Sequence, residues 1–134
     1  MKEYKGVIFD LCGTLGYFTL RPDSFARFSA YFGLSHDEKK ELRDISLRKS
    51  YAYVKDYFCA RYGYDLIDFS LLEKEIKPEV DSFKLFDETI SVLETLNNRG
   101  IKLSLISNIG ELYLPVFYNS GLDKYCEHPY FSCF

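Results

Sequence analysis

A chain of 134 residues with 17 Lys and Arg against 20 Asp and Glu carries a net charge of -3. It therefore presents no broad basic field for nucleic acid or an anionic membrane, and an anionic ligand needs a local positive site. An apolar fraction of 47%, with 12 Tyr and 12 Phe, fills the core of a single domain, and no run approaches the ~18 uninterrupted apolar residues of a membrane-crossing helix. The opening MKEYKGVIFD lacks a signal-peptide apolar region and cleavage site. A cytoplasmic location is expected, with Cys12, Cys59, Cys126 and Cys133 as reduced thiols. The spacing of Cys126, His128 and Cys133 matches no standard zinc module.

In chain order, Val7, Ile8 and Phe9 form a short β-favouring run before a Gly-containing turn, the pattern of a buried parallel strand with Asp10 at its carboxyl end. Phe25, Phe28 and Phe32 recur at i, i+3 and i+7 ahead of Gly33, which predicts an amphipathic helix. SHDE, Ser35 to Glu38, is a capping box, and a long helix is expected from it to near Gly63. DFSLLEKEIKP predicts a short helix closed by Pro78. LFDETISVLETLNNRG predicts a longer one, capped by Asp87, with Ile90, Leu93 and Leu96 on one face and Gly100 at its end. IKLSLISN reads as a second buried strand, Lys102 to Ile106, with Ser107 and Asn108 just past its tip. ELYLPVFYNSG reads as a helix entered or interrupted through Pro115, and YFSCF as a third strand.

This order implies a parallel α/β layer with right-handed crossovers. The helical stretch exceeds one crossover, so residues 18–83 are expected as a helical cap, with 1–17 and 84–134 forming the core. Ligands of such sheets bind beyond the carboxyl ends of the strands, where Asp10, Ser107 and Asn108 project. A carboxylate at a strand tip beside free turn amides can act as an in-line nucleophile toward phosphorus or carbon. Gly13 lets the backbone approach an anion, and the Thr14 and Ser107 hydroxyls can bind its oxygens or support the carboxylate.

FDLCGTL followed by LSLISN resembles motifs I and II of the haloacid dehalogenase-like (HAD) hydrolase superfamily, with the helical segment in place of its C1-type cap. SGLDKYCEHPYFSCF resembles the stretch that precedes the family's third motif. The resemblance implies a Rossmannoid three-layer core and a phosphatase acting on a small phosphorylated metabolite. Asp10 is then the nucleophile that forms an aspartyl-phosphate, and Mg²⁺ binds Asp10 and the main-chain carbonyl of Cys12. The amides of Leu11, Cys12, Gly13 and Thr14, with Ser107, hold the transferring group. Thr14 and Asn108 are supporting residues or purely structural turn residues.

Two departures qualify the resemblance. Cys12 stands where most family phosphatases carry an acid/base aspartate, and a thiol of ordinary pKa ~8.5 does not reproduce that duty. Losing a positioned acid/base group costs ~10²–10⁴-fold. The 2-haloacid dehalogenases of the family also lack that acid, since halide leaves without a proton and no metal is needed. In such a metal-independent enzyme Arg21, Arg43 or Arg48 would hold a carboxylate or halide; a solvated helix face is the plainer expectation for all three. Cys12 as a nucleophile or redox sensor is a further alternative, and a catalytically degenerate binding or regulatory module is another.

The second departure is that the family's motif III lysine and motif IV acidic pair normally lie downstream of Phe134; Lys124 is expected at the surface. The first strand would then leave an apolar edge bare, to be covered by a second copy, a partner chain or the rest of a longer protein. The substrate is unnamed by the sequence, and Phe25, Phe28, Phe32, Tyr51, Tyr53 and Tyr57 read as cap packing.

Overall fold

The computed structural model describes residues 3–63 and 66–134. Its centre is a parallel sheet in which β1 (Gly6–Phe9) pairs with β4 (Lys102–Ser107), running from Gly6 opposite Lys102 to Phe9 opposite Leu105. On its other side β4 pairs in parallel with β5 (Tyr130–Phe131), so the order is β1-β4-β5. The expected parallel α/β arrangement is present.

Between β1 and β4 the chain makes β2 (Gly16–Phe18), the helices α1 (Ser24–Tyr31), α2 (His36–Ser46), α3 (Tyr51–Tyr62) and α4 (Ser70–Asp81), β3 (Phe83–Leu85), and helix α5 (Thr89–Asn98). After β4 come a 3-10 turn at Glu111–Tyr113, α6 (Pro115–Asn119) and a second 3-10 turn at Leu122–Lys124. No helix among the described residues is long and apolar enough to cross a membrane.

Leu103, Leu105 and Ser107 of β4 point inward, and α5 packs against this strand. Leu93 of α5 is fully buried in one apolar cluster that includes Leu11, Leu105, Phe117 and Leu122 and continues through Phe28, Leu42, Val54, Phe58 and Leu72 of the four helices. A buried Phe or Leu of this kind costs about 2–5 kcal/mol to truncate to Ala.

The opposite face of the sheet is bare among the described residues: Ile8 is 64% exposed, Ile106 53% and Tyr130 67%. The expectation of a buried first strand is corrected on this face, while the bare edge expected for it is present among the described residues. β1 is an edge strand hydrogen-bonded on one side only, and the described residues build two of the three expected layers.

Several helix boundaries also differ. The long helix expected after Ser35 is two helices, because Ser50 accepts from the Tyr53 N–H (3.3 Å) and caps a new helix after the turn at 47–50. The Ser35–Glu38 capping box forms as expected, with both reciprocal bonds made. Pro78 lies inside α4 instead of closing it. It falls in the last turn, where the Ser82 N–H donates back to the Pro78 carbonyl (3.0 Å) and ends the helix. Asp87 does not cap α5, whose first residue, Thr89, is buried and donates its hydroxyl to the Leu15 carbonyl (2.7 Å). Tyr53 is 47% exposed and lies over Tyr57 outside the core. The third strand is two residues long.

The sequence pattern contains no signal for the ribbon of β2 and β3. These strands pair antiparallel, Gly16 to Leu85 and Phe18 to Phe83, so the helical excursion leaves and returns at one place. A Cβ on Gly16 would lie 2.6 Å from both the Lys84 carbonyl and the Phe83 ring, which is why only glycine fits there. Beyond the ribbon, the Thr19 N–H and hydroxyl both donate to the Ser82 carbonyl (3.1 and 3.0 Å), and the Leu20 N–H donates to the Ser82 hydroxyl (3.1 Å).

Candidate active site

Asp10 is the first residue past β1. The register puts it opposite Ile106, so it stands one strand spacing, ~4.8 Å, from the chain that continues into Ser107 and Asn108. The ladder stops at Phe9 and Leu105, which leaves the Leu11 N–H, the next donor in its series, without a strand partner. The Cys12 N–H has no backbone partner among the described residues either.

The turn that follows closes on itself. The Leu11 carbonyl accepts from the N–H groups of Thr14 (3.2 Å), Leu15 (2.9 Å) and Gly16 (3.4 Å), and the Gly13 N–H donates to the Gly16 carbonyl (2.7 Å). Of the four amides expected to face an anion, those of Gly13 and Thr14 are thus engaged within the turn, and those of Leu11 and Cys12 are free. Gly13 has φ +81, a left-handed conformation that disfavours any side chain.

Thr14 donates its hydroxyl to the Asp10 carboxylate at 3.1 Å, which fixes the carboxylate's orientation. Ser107 is buried, 3% exposed, and its hydroxyl has no hydrogen-bond partner among the described residues. A carboxylate, two unpaired N–H groups and an unpaired hydroxyl therefore meet at the carboxyl end of adjoining strands. Such a set can attack an electrophile and hold the anionic oxygens around it.

Cys12 lies on the solvent-facing side of the turn. Partial enclosure of its sulfur, and then the negative charge of Asp10, push the thiol above its ordinary pKa. At neutral pH it is a protonated thiol, neither a thiolate nucleophile nor a base.

A cleft of about 440 Å³ opens beside this turn, with Cys12 and Asn108 in its wall. Asp10, Leu11, Gly13, Thr14 and Ser107 are outside that wall. Phe18, Phe25 and Tyr113 form its apolar side, and Arg21, Lys39 and Arg43 its charged side. Two of the three arginines singled out in the sequence thus reach the cleft. Arg48 does not: in the turn after α2 it pairs with Asp44 (3.9 Å) at a different depression.

Three contributors are absent from the sequence reading. Lys39 was detectable as the residue one helical turn before Arg43. Ser132 accepts from the Ile109 N–H (3.0 Å) and so holds the loop after β4, a contact across 23 residues with no local signature. Tyr113 donates to Glu79 from that same loop.

Among the described residues, no group of three or more His, Cys, Asp or Glu side chains is placed to hold a metal ion. Asp10 is the one carboxylate at the strand tips. With the Cys12 carbonyl it offers Mg²⁺ two protein oxygens, a weak site in which water and phosphate oxygens would complete the octahedral shell.

A parallel sheet whose first strand ends in this aspartate turn, with a helical excursion before the second strand, is the fold of the haloacid dehalogenase-like hydrolases, and this chain has that fold. It is similar to the crystal structure of a predicted phosphoglycolate phosphatase from Haemophilus somnus 129PT, at 18% identity and TM-score 0.55, over 98% of this chain and 64% of that one. It is also similar to a haloacid dehalogenase-like hydrolase from Bacteroides fragilis, at 17% identity and TM-score 0.54, over 97% and 64%. A HAD-superfamily hydrolase from Ehrlichia chaffeensis matches at 20% and 0.51, over 96% and 62%. The chain spans less than two thirds of the length of each of these proteins. No family model matches the sequence, and no curated protein matches it.

Proposed function

We propose that the chain carries the nucleophile of a HAD-like hydrolase of phosphatase type, acting on a small phosphorylated metabolite. The observation that carries this reading is the Asp10 carboxylate, oriented by Thr14 beside the unpaired N–H groups of Leu11 and Cys12 and the unpaired Ser107 hydroxyl. An Asp10 oxygen attacks phosphorus, the ester P–O bond breaks, and the alcohol leaves with a proton taken from solvent. Water then cleaves the aspartyl-phosphate and restores the carboxylate. The Leu11 and Cys12 amides and Ser107 donate to the phosphoryl oxygens throughout, and Asn108 supports the loop.

Mg²⁺ is the cofactor this family reading implies, at Asp10 and the Cys12 carbonyl. The described residues offer it one carboxylate and one carbonyl oxygen, with water and phosphate oxygens left to complete the shell, and no step here runs through it. Residues 18–83 act as the cap over the cleft, on the core formed by 1–17 and 84–134, in a cytoplasmic protein. The bare β1 edge and sheet face supply a surface for a second copy or a partner chain; a monomer in light scattering at micromolar concentration would argue against the second copy.

One observation favours metal-independent dehalogenation as a second reading: the site has a single carboxylate and no acid at Cys12, and Arg21 and Arg43 reach the cleft. A panel of phosphate esters and 2-haloacids, assayed with Mg²⁺ and with chelator, separates the two. Phosphate release abolished by Asp10→Asn is expected. Halide release that survives chelation would replace the phosphatase reading, and turnover of neither class would leave a binding module.

A further inference from the structure

We propose that Arg21, Lys39 and Arg43 bind a second anionic group of the substrate, so that the molecule hydrolysed is a small phosphate ester bearing a carboxylate or further phosphate remote from Asp10. This rests on the phosphatase reading and narrows its substrate class.

All three cations face the one cleft that also touches Cys12 and Asn108. None of them has a carboxylate within ion-pair distance among the described residues; other surface cations share that state, but these three are the ones that face a common cleft. The single acid in the cleft wall, Asp23, is engaged by Arg27. In a chain of net charge -3 this is a local excess of positive charge without a structural partner.

The arrangement on α2 points the same way. Lys39 and Arg43 are four residues apart, so their like charges stack on one face, which destabilises a helix by ~0.2–0.5 kcal/mol. The helix has acids that could have relieved this, but Glu38, Glu41 and Asp44 line a different depression, with Arg48 and Arg61. That depression also holds Lys40 and Asp37, and of its acids Glu41 and Asp44 are ion-paired; none of the helix's acids lines the cleft with Lys39 and Arg43. A local rule broken without compensation marks a ligand site more often than a structural one. The apolar side of the cleft, Phe18, Phe25 and Tyr113, lowers the local dielectric and strengthens attraction for an anion. A volume of about 440 Å³ suits a small metabolite.

The test compares three esters of one carbon skeleton: propyl phosphate, 3-phosphooxypropionate and 1,3-propanediol bisphosphate. Their kcat/KM values are measured for the full chain and for Lys39→Gln/Arg43→Gln, with circular dichroism to check that the variant is folded. The expected result is a preference of roughly tenfold or more for one anionic ester over propyl phosphate, the size of one charge-assisted hydrogen bond. In the variant that ratio collapses toward one, through KM. Which ester wins distinguishes a carboxylate from a phosphate as the second group. Equal turnover of all three, or a preference that survives the double substitution, overturns the proposal and leaves the phosphatase reading standing. If none is hydrolysed, the phosphatase reading fails, and calorimetric titration with the bisphosphate decides the anion site separately. Binding lost in the variant supports it, and absent or unchanged binding overturns it.

Discussion

Tyr113 donates its hydroxyl to the carboxylate of Glu79, which joins the loop after β4 to the last turns of α4. Glu79 is 2% exposed, and its other oxygen accepts from the N–H groups of Asp23 (3.1 Å) and Ser24 (2.9 Å) at the start of α1. The carboxylate therefore serves as a cap borrowed from another helix, favoured there by the positive end of the α1 dipole. The loop with Asn108 and the helical excursion with Arg21 are tied together through it. Tyr113→Phe is expected to lower unfolding free energy by about 1.5–3 kcal/mol, and Glu79→Ala by more, since it strands several buried donors. Urea denaturation measures both.

The same pair predicts a pH dependence. Burial, and then the hydrogen bond to Glu79, push the Tyr113 hydroxyl well above the ordinary tyrosine range, and Tyr51 is raised likewise by burial and Glu73. Because the folded pKa exceeds the unfolded one, the stabilisation is complete below pH ~10 and is lost as pH rises past it. The urea midpoint should fall between pH 9.5 and ~11, and Tyr113→Phe should fall less steeply over that interval.

The Thr14 hydroxyl is committed to the Asp10 carboxylate at 3.1 Å. Thr14→Val, which keeps the shape and removes the hydroxyl, is expected to lower kcat by ~10–100-fold through misorientation of the carboxylate. KM should change less, and Thr14→Ser should restore most of the loss. An equal effect of Val and Ser would argue against the 3.1 Å bond as the cause.

At Cys12 the expected chemistry is slow dephosphorylation. A protonated thiol cannot activate water against the aspartyl-phosphate, so Cys12→Asp should raise turnover by ~10²–10⁴-fold. The thiol itself should react slowly with alkylating reagents until pH rises above the ordinary thiol range, because burial and then Asp10 raise its pKa. Asp10→Asn, by removing the adjacent negative charge, should bring that reactivity to lower pH.

Gly16 and Gly13 should respond differently to alanine. At Gly16 the added methyl meets the Lys84 carbonyl and Phe83 ring, so loss of about 1–3 kcal/mol is expected as the ribbon is forced apart. At Gly13 nothing lies within 4 Å of the added atom, and the penalty is the left-handed φ alone, about 1–2 kcal/mol. Thermal unfolding of the two variants, with kinetics for Gly13→Ala, separates packing from turn geometry.

The parts legible in the sequence were those encoded locally. The capping box at Ser35, the glycine after α1, the proline entering α6, and both strand tips with Asp10 and Ser107 depend on residues within a turn of one another. The parts that escaped depend on distant contacts. The β2 and β3 strands are three residues each and find each other across 64 intervening residues, too short for any periodicity. The bare edge of β1 is legible from the sequence, but the apolar run Val7–Phe9 reads as buried, and Ile8 is exposed because no described element covers its face of the sheet. Pro78 reads as a stop because it removes the bond its N–H would make to the preceding turn, yet the helix continues, since its carbonyl still accepts from the Ser82 N–H (3.0 Å). The turn at 47–50 was hidden because the sequence stays helix-compatible across it, and Ser50 had to be recognised as a second cap. In the site, Asp10 and Thr14 are four residues apart and were readable together; Lys39, Ser132 and Tyr113 reach it from three different elements.

The most direct test of the account is to mix the protein with a labelled small phosphate ester it hydrolyses, quench in acid within the first turnover, and map the label by peptide mass spectrometry. One phosphoryl group on the peptide containing Asp10, absent in Asp10→Asn, is the predicted result. Label on Ser107 or Cys12, or full turnover with no label on Asp10, would contradict it.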